Sequence, residues 1–420
     1  MQKVTGRCVE LGAAHLIVRN EKGFFEFSGD FRAQVALGDI VEAGSSVRVL
    51  TPNRTPGRTM KWMDHVLDPR RLKAIQVRAQ VEAGIRHFFG GEGFTEVRTP
   101  LLVPSPGMEP HIAPFRVGAH SAEHSESLES GAGSQVFLPT SPEFAMKRLL
   151  VGGLERIFQL APSFRNEPVS PSHQPEFTML EWYRAYAGYE QIMQDTERLF
   201  ESIAIALFGQ PVVVFQGKSI SLKTPWPRLQ VRDLFLEFAQ VDLAACSKAE
   251  DLLRHCKRLG LPLSPVANDG GWLPSWDDLY FLIWLNVIEP KLPDNQAVLV
   301  TRYPPSQAAL SVIDQDPDGT SWAKRFEVYV GGLELGNAFE ELTDPVEQRK
   351  RFVEDMRLRK LLYGVTLLES PLDEEFLGAL EEGMPPAGGI AVGVDRMVML
   401  FANEPELEKT LWLKPHAVNR

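Results

Sequence analysis

Cysteine is scarce: three residues in 420, Cys8, Cys246 and Cys256, with no CxxC pair and no metal-ligand spacing. A disulfide framework is therefore not expected, and a reducing cytoplasm is the expected setting. No apolar run approaches the length of a membrane span, and the opening residues MQKVTGRCVE hold no signal-peptide core. Positive charge is in deficit. Lys and Arg number 44 against 55 Asp and Glu, a net charge of −11, which argues against a broad nonspecific grip on nucleic acid. No internal repeat is visible.

The length suits two or three domains, and 44% hydrophobic with 24% charged residues is ordinary for a folded globular chain. The charge is uneven. Residues 1–71 hold 11 Lys and Arg against 8 Asp and Glu, a surplus of three, so the remainder carries −14. Between Glu42 and Asp64 there is no acidic residue, while Arg48, Arg54, Arg58 and Lys61 are present. That stretch reads equally as a solvated linker or as an arm for an acidic partner.

Over residues 1–50, short apolar runs alternate with turn signals. HLIVRN, Glu-Lys-Gly and FFEFSG predict a hairpin. VALGDIVEAG and SSVRVL supply two more strands, and a small β-barrel resembling a shortened OB fold fits them. Asp68-Pro69 starts a helix, with Asp68 as N-cap and proline at the first helical position. Leu72, Ile75, Ala79 and Ile85 recur at roughly helical spacing, and Gly90-Gly91 stops the run. FTEVRTPLLV follows as a strand whose Pro100 implies an edge, a bulge or a subunit contact. Residues 118–135 are Ser/Gly/Glu-rich and read as a surface loop. Helices are expected at 141–151, with Ser141 as cap, and at 188–209. Residues 210–320 are mixed and unassigned. The expected division is a small β domain over 1–66 and a larger α+β domain over 67–420.

The richest stretch is FRNEPVSPSHQPEFTMLEWY, residues 164–183, which reads as two strands around a loop. The Arg165 guanidinium can hold a phosphate in two-point geometry. Glu167 can accept from an adenine amino group, and Phe177 offers a flat face for a purine. Alone, FRNE would serve equally as a surface strand with an ion pair. In MPPAGGIAVGVDRMVMLF, glycines 388, 389 and 393 let the backbone approach a ligand. Gly393 precedes Asp395-Arg396, which opens an apolar helix. Arg396 can stack over a purine and reach a terminal phosphate. Read by itself, GGIAVG is a buried glycine-rich strand. In FEVYVGGLELGNAFEELTD, Glu327 and Glu334 stand either side of Gly331-Gly332 and could hold Mg²⁺ near a triphosphate. Asn337 and Glu341 flank Phe339 and could line a small polar pocket. Glu181 and Tyr183 alternate on one strand and share a face. With Glu143 and Glu341 they would form an acidic cavity, costly unless a ligand with two amines relieves it. A diamino acid is the implied substrate.

These segments, in this order, resemble the lysyl-tRNA synthetases of class II, and more closely the elongation factor P–lysine ligases. The resemblance covers about residues 68–420, and SPEFAMKRLLVGGLERIFQLAPSFRNE running into PEFTMLEWY is its most specific part. It implies the class II core, a mostly antiparallel sheet flanked by helices, and a homodimer. It also implies that Arg165 and Arg396 serve catalysis and that His173 and Gln174 contact ATP with Glu167. Phe177 and Arg396 would sandwich the adenine, and Glu327 and Glu334 would bind Mg²⁺. Glu143, Tyr183 and Glu341 would hold the side-chain amine, and Glu181 and Asn337 the rest of the amino acid. The implied reaction is adenylation of lysine or (R)-β-lysine, followed by transfer to a lysine of elongation factor P. Residues 1–66 are shorter than the anticodon-reading domain of lysyl-tRNA synthetases. Ala391 stands where those enzymes usually carry glycine and the ligases alanine. The alternatives are a lysyl-tRNA synthetase with a reduced N-terminal domain and a non-catalytic paralogue that binds an amino acid or nucleotide.

Overall fold

The computed structural model describes residues 3–20, 22–54, 68–118, 136–263, 274–363 and 371–413. Arg58, Lys61, and the expected surface loop beyond Gly118 lie outside them. The chain divides into two compact units. One takes the described residues up to Leu72 with Trp412 and Leu413; the other takes those from Lys73 to Leu411.

In the first unit five antiparallel strands form one sheet: β1 (Val4–Leu11), β2 (His15–Asn20), β3 (Gly23–Ser28), β4 (Ile40–Ala43) and β5 (Val47–Thr51), in the order β3-β2-β1-β4-β5. The predicted hairpin is β2–β3. A register shift between Cys8 and Glu10 bends β1 where it passes from β2 to β4. Cys8, Leu16, Val18, Val41 and Ala43 form its small core. Among the described residues no ladder joins β3 to β5, so hydrogen bonding does not close this sheet into a barrel.

The helix α1 (Pro69–Gly91) starts as expected, with Asp68 Oδ1 accepting from the Arg70 N–H at 2.9 Å. Its buried stripe keeps Ile75 and Ile85 of the expected one and differs in the rest. It runs through Ala74, Ile75, Arg78, Val81, Ile85 and Phe89, while Ala79 is exposed. Arg78 occupies a core position because its guanidinium is fully engaged: with Asp395, with Glu82 at 3.2 Å, and with the Thr410 carbonyl at 2.8 Å.

The expected strand after α1 shrinks to β6 (Thr95–Glu96), parallel to its neighbour, plus an isolated bridge from Val103 to Phe137. Pro100, without an N–H, cannot continue a ladder. After β7 (Arg116–Val117) and β8 (Val136–Phe137), α2 (Glu143–Val151) begins two residues later than predicted. Pro142 is the N-cap, and Ser141 Oγ accepts only a long 3.4 Å bond from the Glu143 N–H.

The remaining strands build one large sheet. β9 (Arg156–Phe164) and β10 (Glu176–Ala185) pair antiparallel, and α3 (Tyr189–Phe208) follows. Residues 210–320, unassigned from sequence, hold the hairpin β11 (Val212–Phe215) and β12 (Lys218–Ser221), then β13 (Arg228–Gln230) and helices α4 (Val231–Ala239), α5 (Ala249–Arg258) and α6 (Trp276–Ile283), then β14 (Val298–Tyr303) and β15 (Ile313–Gln315). These three helices share an apolar cluster with β14 that includes Phe235, Tyr280, Trp284 and Val300. β16 (Ser321–Val330), β17 (Leu333–Glu340), helices α7 (Pro345–Tyr363) and α8 (Glu374–Gly383), β18 (Ala387–Gly393) and α9 (Val394–Ala402) complete the unit. The sheet order is β13-β14-β16-β17-β18-β10-β9-β6, antiparallel except at β13–β14 and β6–β9. This is the α+β architecture expected. Among the described residues no helix is long and apolar enough to cross a membrane.

Strand alternation divides the sheet's two faces. Leu180, Trp182, Phe326, Val328, Ala338, Ile390 and Val392 enter the main core with α1, α3 and α9. Their neighbours Glu181, Tyr183, Arg325, Glu327, Asn337, Phe339, Gly389 and Ala391 therefore face the other way, beside a second cluster built from α2, α7 and α8.

Candidate active site

Register assembles that second face from five strands. Glu327 stands opposite Asn337, Asn337 opposite Ala391, Ala391 opposite Glu181, and Glu181 opposite Gln159. The adjacent row is Arg325, Phe339, Gly389, Tyr183 and Ile157. Over these rows opens a cleft of about 990 Å³, enough for a nucleotide and an amino acid together. It is lined by Glu143, Arg165, Glu167, His173, Gln174, Phe177, Glu181, Glu334, Asn337, Phe339, Ala391, Gly393 and Arg396 among others. The other three predicted residues are buried behind its wall. Tyr183 and Glu327 reach it through hydrogen bonds to Glu181 and Arg325, and Glu341 through Lys147 to Glu143.

At one end lie the two arginines. The Arg165 guanidinium sits 5.3 Å from the centre of the Phe177 ring, and its Nε is buried without a partner. Arg396, in the first turn of α9, donates to the Ser172 carbonyl at 3.3 Å, the Glu334 carbonyl at 2.9 Å and His173 Nε2 at 2.8 Å. His173 Nε2 therefore accepts, which leaves Nδ1 to carry the proton toward Ser170 Oγ at 2.9 Å. Burial and then Arg396 push the His173 pKa down, consistent with a neutral ring. Asp395 fixes this end. One of its oxygens pairs with Arg78 of α1, and Oδ2 accepts from the Thr178 N–H of β10 at 2.7 Å. That clamp holds the start of α9 against the strand carrying Phe177.

Glu334 is exposed to the cleft, yet the protein around it pushes its carboxyl up to about 7, with Glu327 adding to the effect and Arg396 opposing it. Glu327 is tied on both oxygens. Arg325 donates to Oε1 at 2.5 Å, and the Tyr303 and Tyr329 hydroxyls donate to Oε2 at 2.6 and 2.9 Å. Two neighbouring carboxylates, one short of positive partners, fit a hard divalent cation with Glu334 as the more available oxygen donor. Arg325 was not singled out from sequence. It also donates to Asn337 Oδ1 at 2.9 Å and to the Gln307 carbonyl at 2.8 Å, with Tyr303 beneath it at 4.5 Å. Its position two residues before Glu327 on one strand was the available signal.

At the other end is the acidic pocket. The Tyr183 hydroxyl donates to Glu181 Oε2 at 2.9 Å, while Glu181 Oε1 is buried without a partner. Burial and then Glu143 push Glu181 well above the ordinary carboxylate range. Glu341 is pushed up to about 8 by burial, against the pull of Lys147. The expectation of uncompensated carboxylates needs correction. Lys147, fully buried, lies 2.6 Å from Glu143 Oε1 and 2.5 Å from Glu341 Oε2. Its separation from Glu143 is i to i+4 on α2, a spacing visible in the sequence. Lys147 thus meets Glu341 Oε2, while Glu341 Oε1 is buried and still wants a donor.

The comparisons with known proteins agree on a family. The profile of the tRNA synthetases class II (D, K and N) matches residues 57–413. The lysine–tRNA ligase of Pelotomaculum thermopropionicum is 32% identical over 389 residues, covering 89% of this chain and 72% of that protein. The lysine–tRNA ligase of Rhizobium meliloti is 34% identical over 348 residues, 83% of this chain and 65% of that one. The lysine–tRNA ligase of Agrobacterium fabrum is 36% identical over 342 residues, 81% and 63%. The chain thus matches between 63% and 72% of the length of these relatives.

Proposed function

The chain belongs to the class II tRNA synthetases of the D, K and N group, and we propose that it uses ATP to activate lysine or (R)-β-lysine as an aminoacyl adenylate and transfers it to a lysine side chain of elongation factor P. One observation carries the activation half. Glu181 Oε1 and Glu341 Oε1 are buried acceptors without donors; Glu181 lines the same cleft as Arg165, Phe177 and Arg396, and Glu341 lies directly behind its wall. Buried carboxylates of this kind call for a ligand ammonium, and the arginine end suits a nucleoside triphosphate.

In this reading the amino-acid carboxylate attacks the α-phosphorus, a P–O bond forms and pyrophosphate leaves. The nucleophile is already ionised, so no general base is required. Arg165 holds the α-phosphate and the substrate carboxylate, and Phe177 carries the adenine with Glu167, His173 and Gln174 beside it. Arg396 is preset by its three partners to meet the departing charge. The protein's contribution is position and charge. Mg²⁺, held by Glu334 with Glu327, would neutralise phosphate oxygens when bound. In the second step a neutral acceptor amine attacks the acyl carbon and AMP leaves.

The mouth of the cleft supports a protein acceptor. Glu109, Asp277, Asp278 and Asp355 line it together with exposed Phe281 and Leu285, whereas the arginines among its described lining residues are Arg165, Arg325 and Arg396. An acidic, partly apolar rim attracts a lysine-bearing loop and repels a phosphate backbone. Ala391, between Glu181 and Asn337, suits the ligase reading. A homodimer belongs to the same proposal, supported by the exposed Leu101 and Leu102 beyond α1.

The second reading, a lysyl-tRNA synthetase, is favoured by the relatives. The deciding experiment supplies ATP, each amino acid, and either tRNA or elongation factor P. The proposal expects the factor to become aminoacylated; charged tRNA with an unmodified factor would overturn it. Pyrophosphate exchange separates both from a non-catalytic binding paralogue, which would show none.

A further inference from the structure

We infer that Lys147, which is sealed off from the cleft, is a positioning residue that holds Glu143 and Glu341 and sets the amino-acid pocket to two net negative charges, so that it takes a ligand bearing two ammonium groups. The inference rests on the activation reading and deepens it.

A buried ammonium is satisfied by one carboxylate. Lys147 has two within 2.6 Å, and a third, Glu181, acts on it electrostatically through the same pocket. Burial alone would depress the lysine pKa; Glu143 and then Glu341 overcome that and raise it, so the residue stays cationic. Three carboxylates and one fixed cation leave two charges to be met. An amino acid whose carboxylate faces Arg165 meets them with two ammoniums. A monoamino acid leaves one carboxylate unpaired in a dry pocket, which must then keep its proton.

The groups facing this assembly come from several elements. Glu143 shares α2 with Lys147. Glu181 and Tyr183 come from β10, and Glu341 directly follows β17. Glu109, ahead of β7, acts on Glu143 from outside. Beyond it, Asp355 of α7 is raised to about 7 by burial and by Glu109, with Arg359 opposing. On the α8 side, Arg148 pairs with Glu375 at 2.9 Å and so is turned away from the pocket.

The test is Lys147→Met in the full chain, read by pyrophosphate exchange between pH 6 and 9. The KM for lysine should rise about 10- to 100-fold at neutral pH, the range for loss of a charged hydrogen-bonding partner. The KM for ATP and kcat should stay within about threefold, since neither depends on a contact Lys147 makes. The pH at which lysine affinity levels off should move upward, because Glu341 loses its lowering influence. Lys147→Arg should keep the native midpoint. A folded Lys147→Met protein with an unmoved midpoint, or with equal losses for both substrates, would overturn the inference. Should that variant not fold, calorimetry on the native protein in two buffers of different ionisation heat still decides. Lysine should release about one proton more than an analogue with a hydroxyl in place of the ε-amine, and equal release would overturn the inference. Absence of exchange in the native protein with every amino acid would instead defeat the activation reading, while the calorimetric comparison stood on its own.

Discussion

Gly389 and Tyr183 are cross-strand partners, and the tyrosine ring lies where a side chain on Gly389 would have to go. A Cβ there would also come within 2.5 Å of Glu341 Oε1. This single missing methyl lets the ring and the carboxylate meet over one strand. The backbone is ordinary at this glycine; space is the reason for it.

Gly389→Ala should therefore deform the amino-acid pocket first. Overpacking of this kind costs about 1–3 kcal/mol. The KM for lysine should rise at least about tenfold, the equivalent of 1.4 kcal/mol, with a smaller change for ATP. Thermal unfolding and exchange kinetics check both parts; a native KM would mean that Tyr183 does not border the ligand.

Acidity offers a second test. Glu341 and Glu334 are raised to about 8 and about 7. The folded protein thus binds these protons more tightly than the unfolded chain, whose glutamates titrate near about 4.3. Their contribution to stability is complete below that value and is lost as pH rises through about 7 and 8. The ligand-free Tm should decline over that window, and lysine with ATP should restore it. Over the same range the KM for lysine should fall as Glu341 ionises. A lysine KM that rises with pH there would contradict the assignment.

Ala391 separates Glu181 from Asn337 by one strand on either side. Ala391→Gly should enlarge the pocket by a methyl and relax selectivity toward α-lysine. One methyl discriminates by about 1–3 kcal/mol, so the ratio of kcat/KM for the two isomers should shift by roughly 10- to 100-fold. An unchanged ratio would remove Ala391 from the specificity argument.

Arg325 joins Glu327, Asn337 and the Gln307 carbonyl, thereby linking both ends of the cleft. Arg325→Met leaves Glu327 with its two tyrosines and no cation. Breaking one side of a buried pair costs about 3–5 kcal/mol, and the tyrosine donors should hold the loss near the lower figure. The KM values for lysine and ATP should rise together, unlike the selective effect at Gly389. Denaturant unfolding alongside exchange kinetics measures both.

Much of the site is legible in the order of the residues. FRNE at a strand end, PEFTMLEWY as the returning strand and GGIAVGVDR as a strand entering a helix are local patterns, and each forms where its residues predict. Glu181 and Tyr183 share a face because a strand has period two. Other features are hidden. Ala79 reads as a core residue yet is exposed, and Arg78 is buried beside it, held by Glu82, by the Thr410 carbonyl and by Asp395 more than 300 positions away. Lys147 has Glu143 four positions away on its own helix, but its second partner, Glu341, comes to it only through folding. Residues 210–320 give no clear pattern because α4, α5 and α6 bury their apolar faces against β14 and one another, and no single segment carries that cluster.

The linear chain settled the chemical kinds present: two arginines and an aromatic ring at one site, carboxylates at another, glycines in the strand between them. These follow from residue type and from periodicities spanning a few positions. Which carboxylates are left wanting donors was settled by folding. So were the cation that shields two of them and the methyl that lies between Glu181 and Asn337. Charge and steric exclusion act through space, and register across five strands sets the distances over which they act.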